Sequence, residues 1–190
     1  MRIYGVICKH KQILFRLSVK HHIAGILVLM FFLSIILVAV ITACLPYIVR
    51  YIPRFFPETK LHKANPWLPF AAGVLIVGST FLPNIHISNE TSTFQQHFVG
   101  GGMYSACLYI YAKQLFGWRL QWLLDLIVLF AWVSAFGVAN KLLEFTLVKL
   151  HLAVIDTADT DWDLLANTLG GFFGYLILYK FSRLRKPSKP

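Results

Sequence analysis

Long apolar runs alternate with short polar stretches along this chain, and the lengths of those runs set its organisation. Residues 23–45 form an apolar run of 23 residues behind a basic segment with Arg2, Lys9, Lys11, Arg16 and Lys20. That run exceeds the usual core of a signal peptide and is long enough to cross a bilayer. Residues 46–66 carry Pro46, Pro53 and Pro57 with Arg50, Arg54, Lys60 and Lys63, a pattern that predicts a connector rather than a span. Its aromatic residues Tyr47, Tyr51, Phe55 and Phe56 belong at a membrane interface. Further helices are expected over residues 67–85, 97–115, 120–143 and 164–181. Ala131, Ala135 and Ala139 in the fourth of these five runs form a small-residue stripe suited to helix packing.

The last run has two faces. Asp163, Asn167, Gly170, Gly171 and Gly174 lie at offsets 0, 4, 7, 8 and 11, one side of a helix. Lipid cannot satisfy such a face, so it must meet other helices. Gly102, behind His97 in the third run, gives a second close-packing position. The predicted fold is an all-α polytopic membrane bundle with a four-helix core over residues 67–181 and an extra N-terminal transmembrane helix. Residues 1–22 are a basic arm, 23–66 the first helix and its connector, and 182–190 a basic tail.

Composition agrees. Hydrophobic residues make up 57% and charged residues 14%, and the mean hydropathy is +0.65. A soluble domain carries about 25% charge and cannot enclose this much apolar surface at this length. The net charge of +10 resides in arms and loops, which suits an anionic membrane leaflet and argues against nucleic acid. Cys8, Cys44 and Cys107 are scattered, with neither disulfide nor zinc spacing.

Loop charge sets orientation. The 46–66 connector, the 113–119 turn and the tail are basic, whereas residues 86–96 have no Lys or Arg and 145–163 only Lys149. The last four helices then have both ends in the cytoplasm, a count that leaves the basic N-terminal arm on the far side if residues 23–45 cross. Asn89-Glu90-Thr91 matches a glycosylation sequon in an outer loop.

The chemistry-bearing residues gather at that outer face. His97 opens one helix, Glu144 ends the next, and Asp156, Asp159, Asp161, Asp163 and Asn167 lead into the last. A carboxylate in a span costs roughly 2.5–3.5 kcal/mol at the centre and less near an end. Lys141 is placed to pair with Glu144 one turn on. Two readings of Asp163 stand side by side: a cap or first-turn residue that stabilises its helix, and a member of a polar pocket with His97, Glu144, Asp156 and Asn167. Asp159, Asp161 and Asp163 alternate as in a calcium loop, but Leu164 and Gly170 stand where an EF-hand needs glycine and glutamate. The D-x-x-D-G pattern of lipid-alcohol phosphotransferases fails at Thr160, and no nucleophile motif is present. No metal and no cofactor are expected.

The segment Asp163-Leu-Leu-Ala-Asn167-Thr-Leu-Gly170, with Gly174 beyond it, resembles the closing helix of the VanZ-like membrane proteins, D-x-x-x-N-x-x-G. His97-Phe98 and Glu144 match that family's helix-opening histidine and helix-ending acid. The chain departs from the family where Phe94-Gln95-Gln96 precede the histidine and Leu147 follows the glutamate. The acidic stretch around Asp156-Thr157 is also similar to the YjdF-like inner-membrane proteins. The VanZ resemblance covers roughly residues 67–181 and implies a small non-enzymatic cell-envelope protein of the cell membrane, of a family associated with glycopeptide tolerance. Its expected partners are membrane lipids and a lipid-linked envelope precursor. The alternative is a membrane-embedded enzyme acting on a lipid head group.

Overall fold

The computed structural model describes residues 25–26, 29–30, 32–58, 60–87, 90–149 and 160–184. The basic arm, Asn89 of the sequon, His151, Asp156, Thr157, Asp159 and the end of the tail lie outside the described residues. The chain forms two compact units, residues 1–37 and 38–190. In the first unit the described residues are helical, with Ile26, Leu29, Met30, Leu33 and Ile36 exposed.

The fold is helical, and among the described residues two helices are long and apolar enough to cross a membrane: α1, Phe32–Phe55, and the Trp122–Thr146 part of α4, Trp122–Lys149. α1 runs ten residues past the expected end of its span, passing through a 3-10 turn at Val49–Tyr51 and on beyond Pro53. Proline there removes one backbone donor without stopping the helix. Arg50 and Arg54 stack over the rings of Tyr47 and Tyr51 at 5.5 and 4.9 Å.

α2, Trp67–Ser79, is 13 residues, about 20 Å, and so falls short of a 30 Å hydrocarbon core. Its start is set by Asn65, whose side-chain oxygen accepts the Trp67 amide. Its end corrects the expected run to residue 85. Ser79 and Thr80 turn their hydroxyls onto the carbonyls of Ile76 and Val77, and Pro83 follows. The expected loop beyond contains an antiparallel ribbon, β1 Ile85–Ile87 with β2 Glu90–Ser92, pairing Ile85 with Ser92 and His86 with Thr91. The β-branched residues Ile85, Ile87 and Thr91 suit such pairing.

α3, residues 94–115, is the central helix. It opens at Phe94, three residues earlier than expected, as Phe94–Gln96, and continues as a π-helical stretch, His97–Met103, and an α-helix, Tyr104–Leu115. From Tyr104 to Tyr109 every residue is buried. The three consecutive glycines in the π-helical stretch each meet a different neighbour. A Cβ on Gly100 would overlap Ser79 of α2, one on Gly101 the Asn167 side chain, and one on Gly102 the backbone at Gly170 and Gly171. Thr42 of α1 and Tyr104 share a buried hydrogen bond of 3.0 Å.

α4 and α5, Thr160–Leu184, complete the second unit. The alanine stripe is not the packing face of α4. Ala131, Ala135 and Ala139 are exposed, while Asp125, Leu129, Val133 and Gly137 are buried, with Lys141 next in that fourfold series. Bulky residues fill the space against α3 and α5 that alanine would leave open, around Tyr109, Leu129, Val133 and Tyr175. On α5 the polar and glycine face is buried at Asp163, Asn167, Gly170, Gly171 and Gly174. Leu165, Leu169, Phe173 and Leu176 on the other side are exposed.

Candidate functional site

Three helices bring one carboxylate to a focus. Asp163 is the fourth residue of α5 and only 2% exposed. Its Oδ1 accepts a 2.9 Å hydrogen bond from Thr93 Oγ1, just ahead of α3. Its Oδ2 accepts from Lys141 Nζ of α4 at 2.5 Å and lies 3.2 Å from His97 Nε2. Lys141 Nζ also donates to Glu144 Oε2 at 2.8 Å, and Asn140 Nδ2 donates to Glu144 Oε1 at 2.7 Å. His97, Glu144, Asp163 and Asn167, singled out in the sequence, thus belong to one neighbourhood. Asp156 lies outside the described residues.

Sequence reasoning missed Lys141 as the bridge between the two carboxylates, and Thr93 and Asn140 as their neutral partners. Lys141 was visible only as a helical partner of Glu144, because nothing local links residue 141 to residue 163. The N-cap reading of Asp163 does not fit a fourth helical residue with its carboxylate turned to α3 and α4. The first-turn reading does, since Asp161 and Asp163 both sit at the positive end of the helix dipole.

The cluster is close-packed, with Asp163 inside and His97 and Glu144 at its rim, their side chains 20% and 24% exposed. Two carboxylates face the one Lys141 ammonium, so the rim favours hydrogen-bond donors over anions. One turn below Asp163, Asn167 lies between Gly101 and Gly137, and its Oδ1 is buried without a hydrogen-bond partner. An orphaned buried acceptor costs about 1–3 kcal/mol, a cost that a donor brought in from outside removes. Among the described residues no three His, Cys, Asp or Glu side chains converge as a metal would require. Lys141 already holds the cation position beside Asp163.

A second charged cluster, also missed from the sequence, lies sixteen residues back along α4, about 24 Å away. Asp125, 2% exposed, accepts hydrogen bonds from Tyr109, Tyr175 and Lys113. The signal was there: a single acid in an otherwise apolar run demands a partner. α4 is therefore tied by a buried ion pair at each end, to Lys113 of α3 and to Asp163 of α5.

Comparison with family models, with curated proteins and with solved structures found no match for this chain.

Proposed function

We propose that this chain is a VanZ-like integral membrane protein of the cell envelope: a four-helix core over residues 67–181 with an additional N-terminal transmembrane helix. It acts without catalysis, holding the head group of a lipid or lipid-linked envelope precursor at the outer face, and in this way influences envelope and glycopeptide tolerance. The observation that carries this reading is the convergence of His97, Lys141 and Glu144 around buried Asp163, with Asn167 one turn further along α5. The motif residues behind the family resemblance are the ones that meet there. The acceptor-rich rim and the orphaned Asn167 oxygen favour a ligand that donates hydrogen bonds, an amine or a hydroxyl-bearing head group.

The membrane setting rests on α1 and α4 and on the exposed apolar residues of α5 and α2, including Phe70, Val74, Leu169 and Phe173. A soluble surface rarely leaves so much contiguous apolar area uncovered. The short α2 packs against α3 within the bundle, through Ala72 on Tyr104, Cys107 and Leu108. The basic connector, the 113–119 turn and the tail face the cytoplasm.

One observation favours an enzyme as the second reading. The Asp163 carboxylate lies against Nε2 of a part-exposed imidazole, the arrangement that orients a general base. Purified protein assayed on lipid phosphates and lipid-linked sugars distinguishes the two. Binding without turnover supports the first reading. Turnover that is lost in His97→Gln, with folding retained, establishes the second.

A further inference from the structure

At the Asp125 end of the bundle, a cavity of about 320 Å³ opens between the end of α3, the following turn and the last part of α5. Its cations are Lys113 and Arg119, its apolar wall includes Ile110 and Leu178, and Trp118 and Tyr179 stand beside them. Both its chemistry and its position differ from the acceptor-rich cluster around Asp163.

The turn that frames it is built rather than loose. α3 ends in a Schellman motif: the Trp118 amide donates to Lys113 O at 3.0 Å and the Gly117 amide to Gln114 O at 3.3 Å. Gly117 takes the left-handed conformation this motif needs, with φ of 64°. The connector ahead of α2 braces the turn from outside. The His62 amide donates to Leu115 O at 2.7 Å, and the Asn65 amide to Gln114 Oε1 at 2.8 Å. The His62 ring packs so closely on Gly117 that an added Cβ would come within 2.6 Å of it.

Lys113 is likewise held in place. It pairs with buried Asp125 and lies 5.9 Å from the centre of the Tyr175 ring. An ammonium has three donors, so this pairing leaves donors for a second acceptor. Arg119 is exposed, and its planar fork matches phosphate oxygens. The nearby connector adds Lys60 and Lys63.

We propose that this cavity binds the phosphate of an anionic phospholipid from the cytoplasmic leaflet. Fixed cations beside an apolar and aromatic wall match a molecule that joins a phosphate to acyl chains, whereas free phosphate would gain nothing from Ile110, Trp118 and Leu178. The site needs the membrane setting proposed above and is independent of what the Asp163 cluster holds.

The test uses the full chain in detergent micelles, titrated with phosphatidylglycerol, phosphatidylcholine or inorganic phosphate while its melting temperature is followed. Phosphatidylglycerol should raise the melting temperature, with phosphatidylcholine and inorganic phosphate leaving it near the detergent value. Arg119→Gln, at an exposed position, should raise the half-effect concentration of phosphatidylglycerol about tenfold through loss of a charge-assisted bond. Lys149→Gln, a basic residue at the other end of α4, should leave it unchanged. Equal responses to the two lipids, or an unaltered titration in Arg119→Gln, would overturn the site. Protection by inorganic phosphate alone would overturn its assignment to a lipid. Release of the chain from membranes by a carbonate wash would instead overturn the membrane setting.

Discussion

Lys141 of α4 bonds Asp163 of α5 at 2.5 Å while holding Glu144 of its own helix at 2.8 Å, so one ammonium serves two carboxylates. The two bonds are not equivalent. The Asp163 side chain is 4% exposed and that of Glu144 is 24% exposed, so water screens only the second pair. A double-mutant cycle of Lys141→Met with Asp163→Asn should give a coupling of about 2–3 kcal/mol, and the cycle with Glu144→Gln about 1 kcal/mol or less. Lys141→Met alone should be the most damaging single change in the cluster, because it leaves a buried carboxylate with only Thr93 and His97. Thermal unfolding in detergent measures all of these variants.

The glycines of α3 and α5 should rank by what an added methyl meets. On Gly102 it would lie 2.6 Å from Gly171 N and 2.7 Å from Gly170 C, backbone atoms that move only if the helices part. On Gly174 it would lie 3.2 Å from Ala106 Cβ and Met103 Cα, a much smaller intrusion. Gly102→Ala should therefore cost about 3 kcal/mol and Gly174→Ala about 1 kcal/mol or less. Gly171→Ala falls between, since it strikes only the Val133 side chain. A reversed order in detergent melting would show that α3 and α5 do not touch at Gly102.

At the other end of α4, Asp125 should prove indispensable to folding. Its carboxylate takes three donors, and Asp125→Ala would strand Lys113 and two buried tyrosine hydroxyls. The expected loss is about 3–5 kcal/mol, against about 1–2 kcal/mol for Tyr175→Phe, which removes one donor and leaves the ion pair. Melting temperature and expression level report both.

What could be read in the sequence and what could not separate by range. The inward face of α5 was legible because polar and small residues at helical spacing stand out in an apolar helix. The inward face of α4 was not. Its exposed residues and the packing residues Leu129 and Val133 are alike apolar, so alanine spacing pointed to Ala131, Ala135 and Ala139 instead. His97, Glu144 and Asp163 could be placed at one end of the bundle from the order of the helices alone. The bridge from Lys141 to Asp163 needs the crossing of α4 and α5, which no local pattern encodes. The early end of α2 follows from hydroxyl-to-carbonyl bonds at Ser79 and Thr80, which compete with a continuing helix and look apolar enough in a hydropathy count.

Topology has its own check. In a background lacking Cys8, Cys44 and Cys107, Phe116→Cys should resist a membrane-impermeant thiol reagent in intact cells, and Asn89→Cys should react. Labelling of Phe116→Cys from outside would invert the orientation and place the Asp163 cluster at the cytoplasmic face.

The claim that the Asp163 cluster is a binding site, beyond tying helices together, is tested most directly at Glu144. This residue sits at the rim, so Glu144→Gln should stay within about 1 kcal/mol of the parent in thermal unfolding. In the proposed function its carboxylate charge holds a donor ligand, so on that reading glycopeptide tolerance of cells carrying Glu144→Gln should fall to that of cells without the protein. Normal tolerance in a folded Glu144→Gln, Asp163→Asn double variant would contradict the account and leave the cluster as a structural ion pair.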